Sequence, residues 1–272
     1  MLVSMSLSTA VVAGALIAFS HQGRSYHTIK EVVSVLQNLR PGLQRVEREL
    51  RMAGYGVNMP DGDIAQWFPW VSGATSRVVV IQGGTASAPD ELLIFGAFGA
   101  PESMVQFGTS PGDTRIDLPA GDTGEFNITD KRVILVGRQE TARIVGFSGN
   151  QLIISTDPVT PGEGLRYGYP SGAPVERVKA VTYRTRVNTN ETPELLYLTR
   201  DEHTATLPPL ADRVLAVHVE NFQLAMVSSN TVTVELTGRT RHEDEHFTHP
   251  VESDGYRRKS VSTRVLLRNP IP

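Results

Sequence analysis

The opening stretch Met1–Phe19, MLVSMSLSTAVVAGALIAF, contains no charged side chain. As a helix it rises roughly 28 Å, close to the thickness of a bilayer core. Ser4, Ser6, Ser8 and Thr9 dilute its apolar character. Their hydroxyls can bond the preceding helical turn or a neighbouring helix. Ala10, Ala13, Gly14 and Ala15 form a small-residue surface that lets helices approach closely, and Ala10, Ala13 and Gly14 are the candidate helix-packing residues. Three structures suit such a run: a transmembrane anchor, a cleaved signal peptide, or a buried soluble helix. No basic region precedes Leu2, and Leu16-Ile17-Ala18-Phe19 after the small residues is a poor cleavage context, so the anchor is favoured. The nearest basic residues, Arg24 and Lys30, come after the run. By the positive-inside rule they would place the C-terminal side in the cytoplasm.

Helical spacing persists beyond Phe19. Ile29, Val32, Leu36, Leu39, Leu43, Val46 and Leu50 recur in steps of three and four, one apolar stripe with charged residues on the other faces. Pro41-Gly42 interrupts it and is the expected hinge, because proline removes the hydrogen bond to residue 37. Gly54 and Gly56 supply the stop. The pattern predicts one helix of about 50 residues, near 75 Å long. Its stripe either packs on the protein's own later domain, the favoured reading, or forms a coiled coil with another chain.

From Trp67 the pattern changes to short apolar runs broken by Gly, Pro, Asn and Asp. Strands are expected at Arg77–Gln82, Glu91–Phe95, Arg132–Gly137, Ala142–Phe147, Gln151–Thr156, Val175–Val187, Glu194–Arg200, Arg213–Val227, Thr231–Thr240 and Lys259–Arg268. In Thr231–Thr237, alternation puts Val232, Val234 and Leu236 on one face. Ser148-Gly149-Asn150 and Val227–Asn230 read as hairpin turns. Segments 83–90, 99–124 and 157–174 read as loops, and the two Gly-Asp-Thr triplets at 112–114 and 121–123 are too short to define a repeat. No helical pattern alternates with these strands, so the sheet should be mostly antiparallel. The expected class is α+β: a long N-terminal helix, membrane-spanning at 1–20 and amphipathic at 21–56, packed on a β-rich domain at 57–272.

Composition narrows the function. The net charge of −3 leaves no basic footprint, so nucleic acid is not expected as the main partner. The charge is uneven: residues 1–52 hold six basic and three acidic groups. The absence of cysteine excludes disulfides, thiol nucleophiles and thiolate metal sites.

The chemical motifs are few. His242-Glu243-Asp244-Glu245-His246 satisfies the H-E-x-x-H spacing of zincins, with His249 as a possible third ligand. That chemistry needs a helix to set the histidines one turn apart. Here the motif comes after a strand and meets Pro250, so a solvated loop, its acidic run pairing with Arg239 and Arg241, is the favoured reading. Asp61-Gly62-Asp63 lacks EF-hand spacing and reads as a polar turn. Asn127–Thr129 and Asn190–Thr192 match the glycosylation sequon by chance frequency. Trp67, Phe68 and Trp70 form an aromatic cluster that either packs between helix and sheet or serves a partner. No catalytic group, cofactor or metal site is assigned.

Two motifs then carry a resemblance. The helix ends LRPGLQRVERELRMAGYG (Leu39–Gly56), and the chain closes with DGYRRKSVSTRVLLRNP (Asp254–Pro270). With the apolar start, and with VKAVTYRTRV and LADRVLAVHVENFQL between, the chain resembles a PilW-type minor pilin of the type IV pilus. It is also similar to the J-type minor pseudopilin of type II secretion. The resemblance covers nearly the whole chain, weakly in its middle loops. It implies a pilin-like fold, an inner-membrane anchor with a periplasmic domain, passage to the pilus tip, and other minor and major pilins or pseudopilins as partners. In that family a basic leader and a G-F-T-L-x-E stretch, cut by a prepilin peptidase and methylated at the new N-terminus, precede the apolar run. Met1–Met5 match the residues just after that stretch, which implies a start assigned late or a trimmed chain. The leader's charges would reverse the orientation read from Arg24 and Lys30. From another class, a membrane-anchored periplasmic binding module or metal-dependent enzyme is the alternative.

Overall fold

The computed structural model describes residues 2–57, 64–75, 77–83, 88–126, 133–160, 162–188, 195–203, 213–244 and 247–269, and of residues 2–10, 188 and 195 the backbone alone. Asp61–Asp63, both sequons, Glu245 and His246 lie outside the described residues.

Helix α1 (Leu2–Met52) is 51 residues long and runs unbroken through Pro41-Gly42. The expected interruption does not stop it. Pro41 lies on an exposed face, where water can serve the carbonyl that proline leaves without a donor. Gly42 is buried, and a Cβ added there would sit 3.0 Å from the Ala216 Cβ. The helix stops where the glycines predict: Gly54 has a φ of +78°, and its N–H donates to the Phe95 carbonyl at 2.9 Å. The expected membrane-spanning first part gains no support, since among the described residues no helix is long and apolar enough to cross a membrane.

A short helix, α2 (Ile64–Trp67), leads into thirteen strands among the described residues: β1 (Val79–Gln82), β2 (Glu91–Gly96), β3 (Ser103–Met104), β4 (Arg115–Asp117), β5 (Val133–Val136), β6 (Glu140–Ser148), β7 (Gln151–Ser155), β8 (Pro174–Asn188), β9 (Leu195–His203), β10 (Arg213–Val217), β11 (Val219–Ser228), β12 (Thr231–Arg239) and β13 (Arg258–Leu266). Every pairing among the described residues is antiparallel. The larger sheet is organised by the fifteen-residue β8. Its first part pairs β3 and β5, and its second part pairs β2 and β9. Strands β11, β12 and β13 form a separate sheet.

The chain passes between sheets at one residue. The single strand expected over Arg213–Val227 is two, because His218 adopts a φ of +60° between β10 and β11. Its carbonyl accepts the Arg239 N–H at 3.0 Å, so the kink is held by β12. Strands β3 and β4 are additions within an expected loop.

Two apolar cores result. The first gathers Val35, Leu39, Leu43, Val46 and Leu50 of α1 with residues of β2, the later part of β8, and β10–β13. Val232, Val234 and Leu236 are buried in it, on the face that alternation assigned. The second gathers Ile116, Ile134, Val136, Ile144, Leu152, Ile154 and Val175. Strand β5 serves both, Val133 and Leu135 facing the first and Ile134 and Val136 the second. This two-faced burial explains its unbroken apolar run.

Candidate functional site

Apolar burial divides α1 in two. From Val35 onward its stripe is core, so the later stripe packs on the protein's own domain, the favoured of the two sequence readings. Ile29 stays exposed, while Val32 and Leu36 are half-buried. Every residue from Val11 to His27 is exposed. Val11, Val12, Leu16, Ile17 and Phe19 together give this projecting half an apolar surface. Ala13 and Gly14 lie on it, and a Cβ added at Gly14 meets nothing within 4 Å. Of Ala10, only its place in the helix is described.

The root of the helix is fixed by charges that the sequence reading left among the solvated faces. Glu49 is buried. It accepts hydrogen bonds from the Tyr183 hydroxyl at 2.5 Å and from Arg200 Nε at 3.1 and 3.2 Å. Arg45, one turn earlier, pairs with it at 2.6 Å. Burial and then the adjacent Glu49 carboxylate push the Tyr183 phenol well above its ordinary range, so it stays a donor. Burial, the largest single influence, works against the charge of Arg200, but Glu49, Tyr183 and Glu202 together hold the guanidinium above its usual value. The cluster therefore pins α1 to β8 and β9. A signal for Arg200 existed: Leu196, Leu198 and Arg200 alternate onto one strand face, so a cation occupies an inward position.

The two stretches that carried the resemblance meet in space. A Cβ added at Gly54 would lie 2.4 Å from the Asn269 carbonyl oxygen, so the backbone at the end of α1 touches the chain just after β13. Glycine is required there on both counts, close approach and positive φ.

The H-E-x-x-H segment is not helical over its described residues, 242–244. His242 Nδ1 lies 2.7 Å from Glu31 Oε1, tying this loop to α1. Asp244 pairs with Arg257 at 2.8 Å, a partner the sequence reading did not name. Arg239, expected to serve the acidic run, lies 3.9 Å from Glu220 and stacks over the Tyr256 ring. Among the described residues no group of three or more His, Asp or Glu side chains is placed to hold a metal ion.

Trp67 and Phe68 are buried in the first core, and Trp70 is half-buried. Phe68 packs on Phe95 with ring centroids 5.1 Å apart, so the cluster joins the α2 segment to β2. Trp67 and Phe68 thus pack within this chain's core, and Trp70 stays partly open. Comparison with family profiles, curated proteins and solved structures returned no match.

Proposed function

We propose that this chain is a minor-pilin-like structural protein that takes part in type IV pilus assembly. Its partners are other minor and major pilins. The first part of α1 anchors it in a bacterial inner membrane, with the β-rich domain on the periplasmic side. The observation that supports this reading is the division of α1. From Val35 onward it is built into the domain core, whereas the described side chains from Val11 to Phe19 are all exposed and give an apolar, small-residue surface. The uncharged run that would lie in lipid begins at Met1, so part of it falls on residues whose side chains are not described. Such a half-helix is unstable as an exposed surface in water and is suited to lipid or to neighbouring helices.

The chain's lack of cysteine makes the test direct. A Gly14→Cys variant, expressed in piliated cells beside a major pilin carrying one cysteine in its own apolar helix, should form a cross-linked heterodimer in the membrane fraction. The same cysteine placed at Thr237, on the face of β12 opposite the buried Leu236, should not. Recovery of the chain in the soluble fraction, or equal cross-linking from both positions, would sink the reading.

A further inference from the structure

Four separated segments converge beside the end of α1: the Gly54–Val57 turn, the β5–β6 turn, the loop around Tyr167, and Asn269 after β13. Between them lies an open groove of about 650 Å3. That volume lies within the roughly 300–1,000 Å3 of small-molecule sites. We propose that this groove binds a neutral, hydroxyl-rich ligand, the end of an oligosaccharide, with Tyr167 as stacking platform and Tyr55, Arg138, Gln139 and Asn269 as its polar contacts.

The groove is built rather than incidental. Its wall at Gly56 is packed so closely that an added Cβ would meet Leu135 at 2.7 Å. Gly137 and Arg138, with φ of +57° and +61°, are the central residues of the tight β5–β6 turn, closed by the Gln139 N–H on the Val136 carbonyl at 3.1 Å, and that turn fixes where Arg138 stands. Its Nε is held 3.2 Å from the Glu176 carboxylate, which is itself buried. Tyr167 is 54% exposed, an aromatic left at the rim although the second core lies close by.

The chemistry of the lining selects the ligand. Among the described residues Arg138 is the lining's one cation, and Glu176 neutralises it, so the groove carries no net charge to attract a phosphate or carboxylate. Its mixed lining gives a lipid chain little apolar surface. Carboxamides at Gln139 and Asn269 both donate and accept, matching hydroxyls that do the same. Burial and the nearby Glu176 charge hold the Tyr55 phenol above its ordinary range, so it remains a donor. An exposed tyrosine face suits the apolar face of a sugar ring. The proposal rests on the globular domain and is independent of whether the helix is anchored in lipid.

The test is the full chain, held in a zwitterionic detergent, on a printed array of neutral glycans ending in glucose, galactose, mannose or N-acetylglucosamine. Sialylated and sulfated counterparts are printed beside them. Retention on at least one neutral series is expected. Tyr167→Ala should weaken it at least about tenfold, and Asn269→Ala should also weaken it, both with an unchanged denaturation midpoint. Failure on every neutral series, preference for the anionic glycans, or retention indifferent to both variants overturns the proposal. So does selection of peptides from a displayed library through a Tyr167-dependent site in the absence of glycan binding.

Discussion

Glu49 shows how one side chain can decide where a long helix sits. Removing its carboxylate leaves Arg200 buried without that partner, and the loss of one member of a buried pair costs about 3–5 kcal/mol. Glu49→Ala should therefore lower stability by that order in chemical denaturation, while Arg45→Ala, at an exposed position on the same helix face, should cost less than about 1 kcal/mol. A Glu49→Ala chain as stable as the parent would remove the clamp from the account. His203 gives a pH dependence. Its ring nitrogen Nε2 lies 2.6 Å from the Thr182 hydroxyl, and burial lowers its pKa, with Asp201 acting in the opposite sense. Below the ordinary histidine value of about 6.5 the unfolded chain thus binds protons that the folded chain resists. Stability at this residue is complete above that value and is lost as pH falls toward the lowered folded pKa. The urea midpoint should drop between pH 7.5 and 5.5, and His203→Gln should flatten the drop.

Two glycines of α1 separate the roles of its halves. Gly42 faces β10 with no room for a side chain, so Gly42→Leu should push the helix off the sheet and cost about 1–3 kcal/mol. Gly14 is open on every side, so Gly14→Leu should leave the denaturation midpoint of the domain in place. If the projecting half packs against other pilins, the same variant should impair piliation, because a large side chain separates close-packed helices. Normal fibres from a strain relying on Gly14→Leu would count against the assembly reading. Periodicity made the helix, its stop and most strands legible, because each rule involved is local. Gly54 and the Ser148-Gly149-Asn150 turn declare themselves through residue type, and Gly149 indeed carries a φ of +59°. His218 does not. Its positive φ is imposed by the crossing from one sheet to the other, so nothing in Arg213–Val227 announced the break. Strand β4 was equally hidden, since three residues, of which only Ile116 is buried, leave too little pattern to read.

At the scale of the whole molecule, the described side chains from Val11 to Gly23 all stand outside the domain's core. A chain beginning at Ser25 should fold with an unchanged denaturation midpoint, since no described side chain from Val11 to His27 is buried. On the anchoring proposal it should also move from the membrane fraction to the soluble one. A lowered midpoint would show that the projecting half contributes to the core after all. The candidate groove was not legible in the sequence, because its lining is drawn from the end of the helix, the middle of the chain and the last strand. Gly54, Tyr55, Gly56 and Asn269 lie within stretches that carry a sequence motif, and that motif says nothing of a groove. The Glu49 cluster failed to announce itself for the same cause: Tyr183 and Arg200 reach it from β8 and β9, across more than one hundred and thirty positions.

The course of α1 along the domain has a mechanical consequence. Val35 and Leu39 pack at Gly238, and Glu31 meets His242, so β12 runs antiparallel beside the helix, and tension drawn through the projecting half would load their contact in shear. Shear strains side-chain contacts together along its length, whereas a perpendicular pull would peel them one after another. The Glu49 cluster ties the same helix to β8 and β9 and shares that load. The second core lies off the direct path from α1 to β13, joined to the first through β5, β8 and the bonds of Thr141 and Arg143 to the Gly56 and Trp67 carbonyls, and would feel less of the load. In a force-extension experiment pulling from a residue near Phe19 against the C-terminal end, the first core should therefore yield as a single high-force event. Glu49→Ala should lower that force and leave any event from the second core where it was.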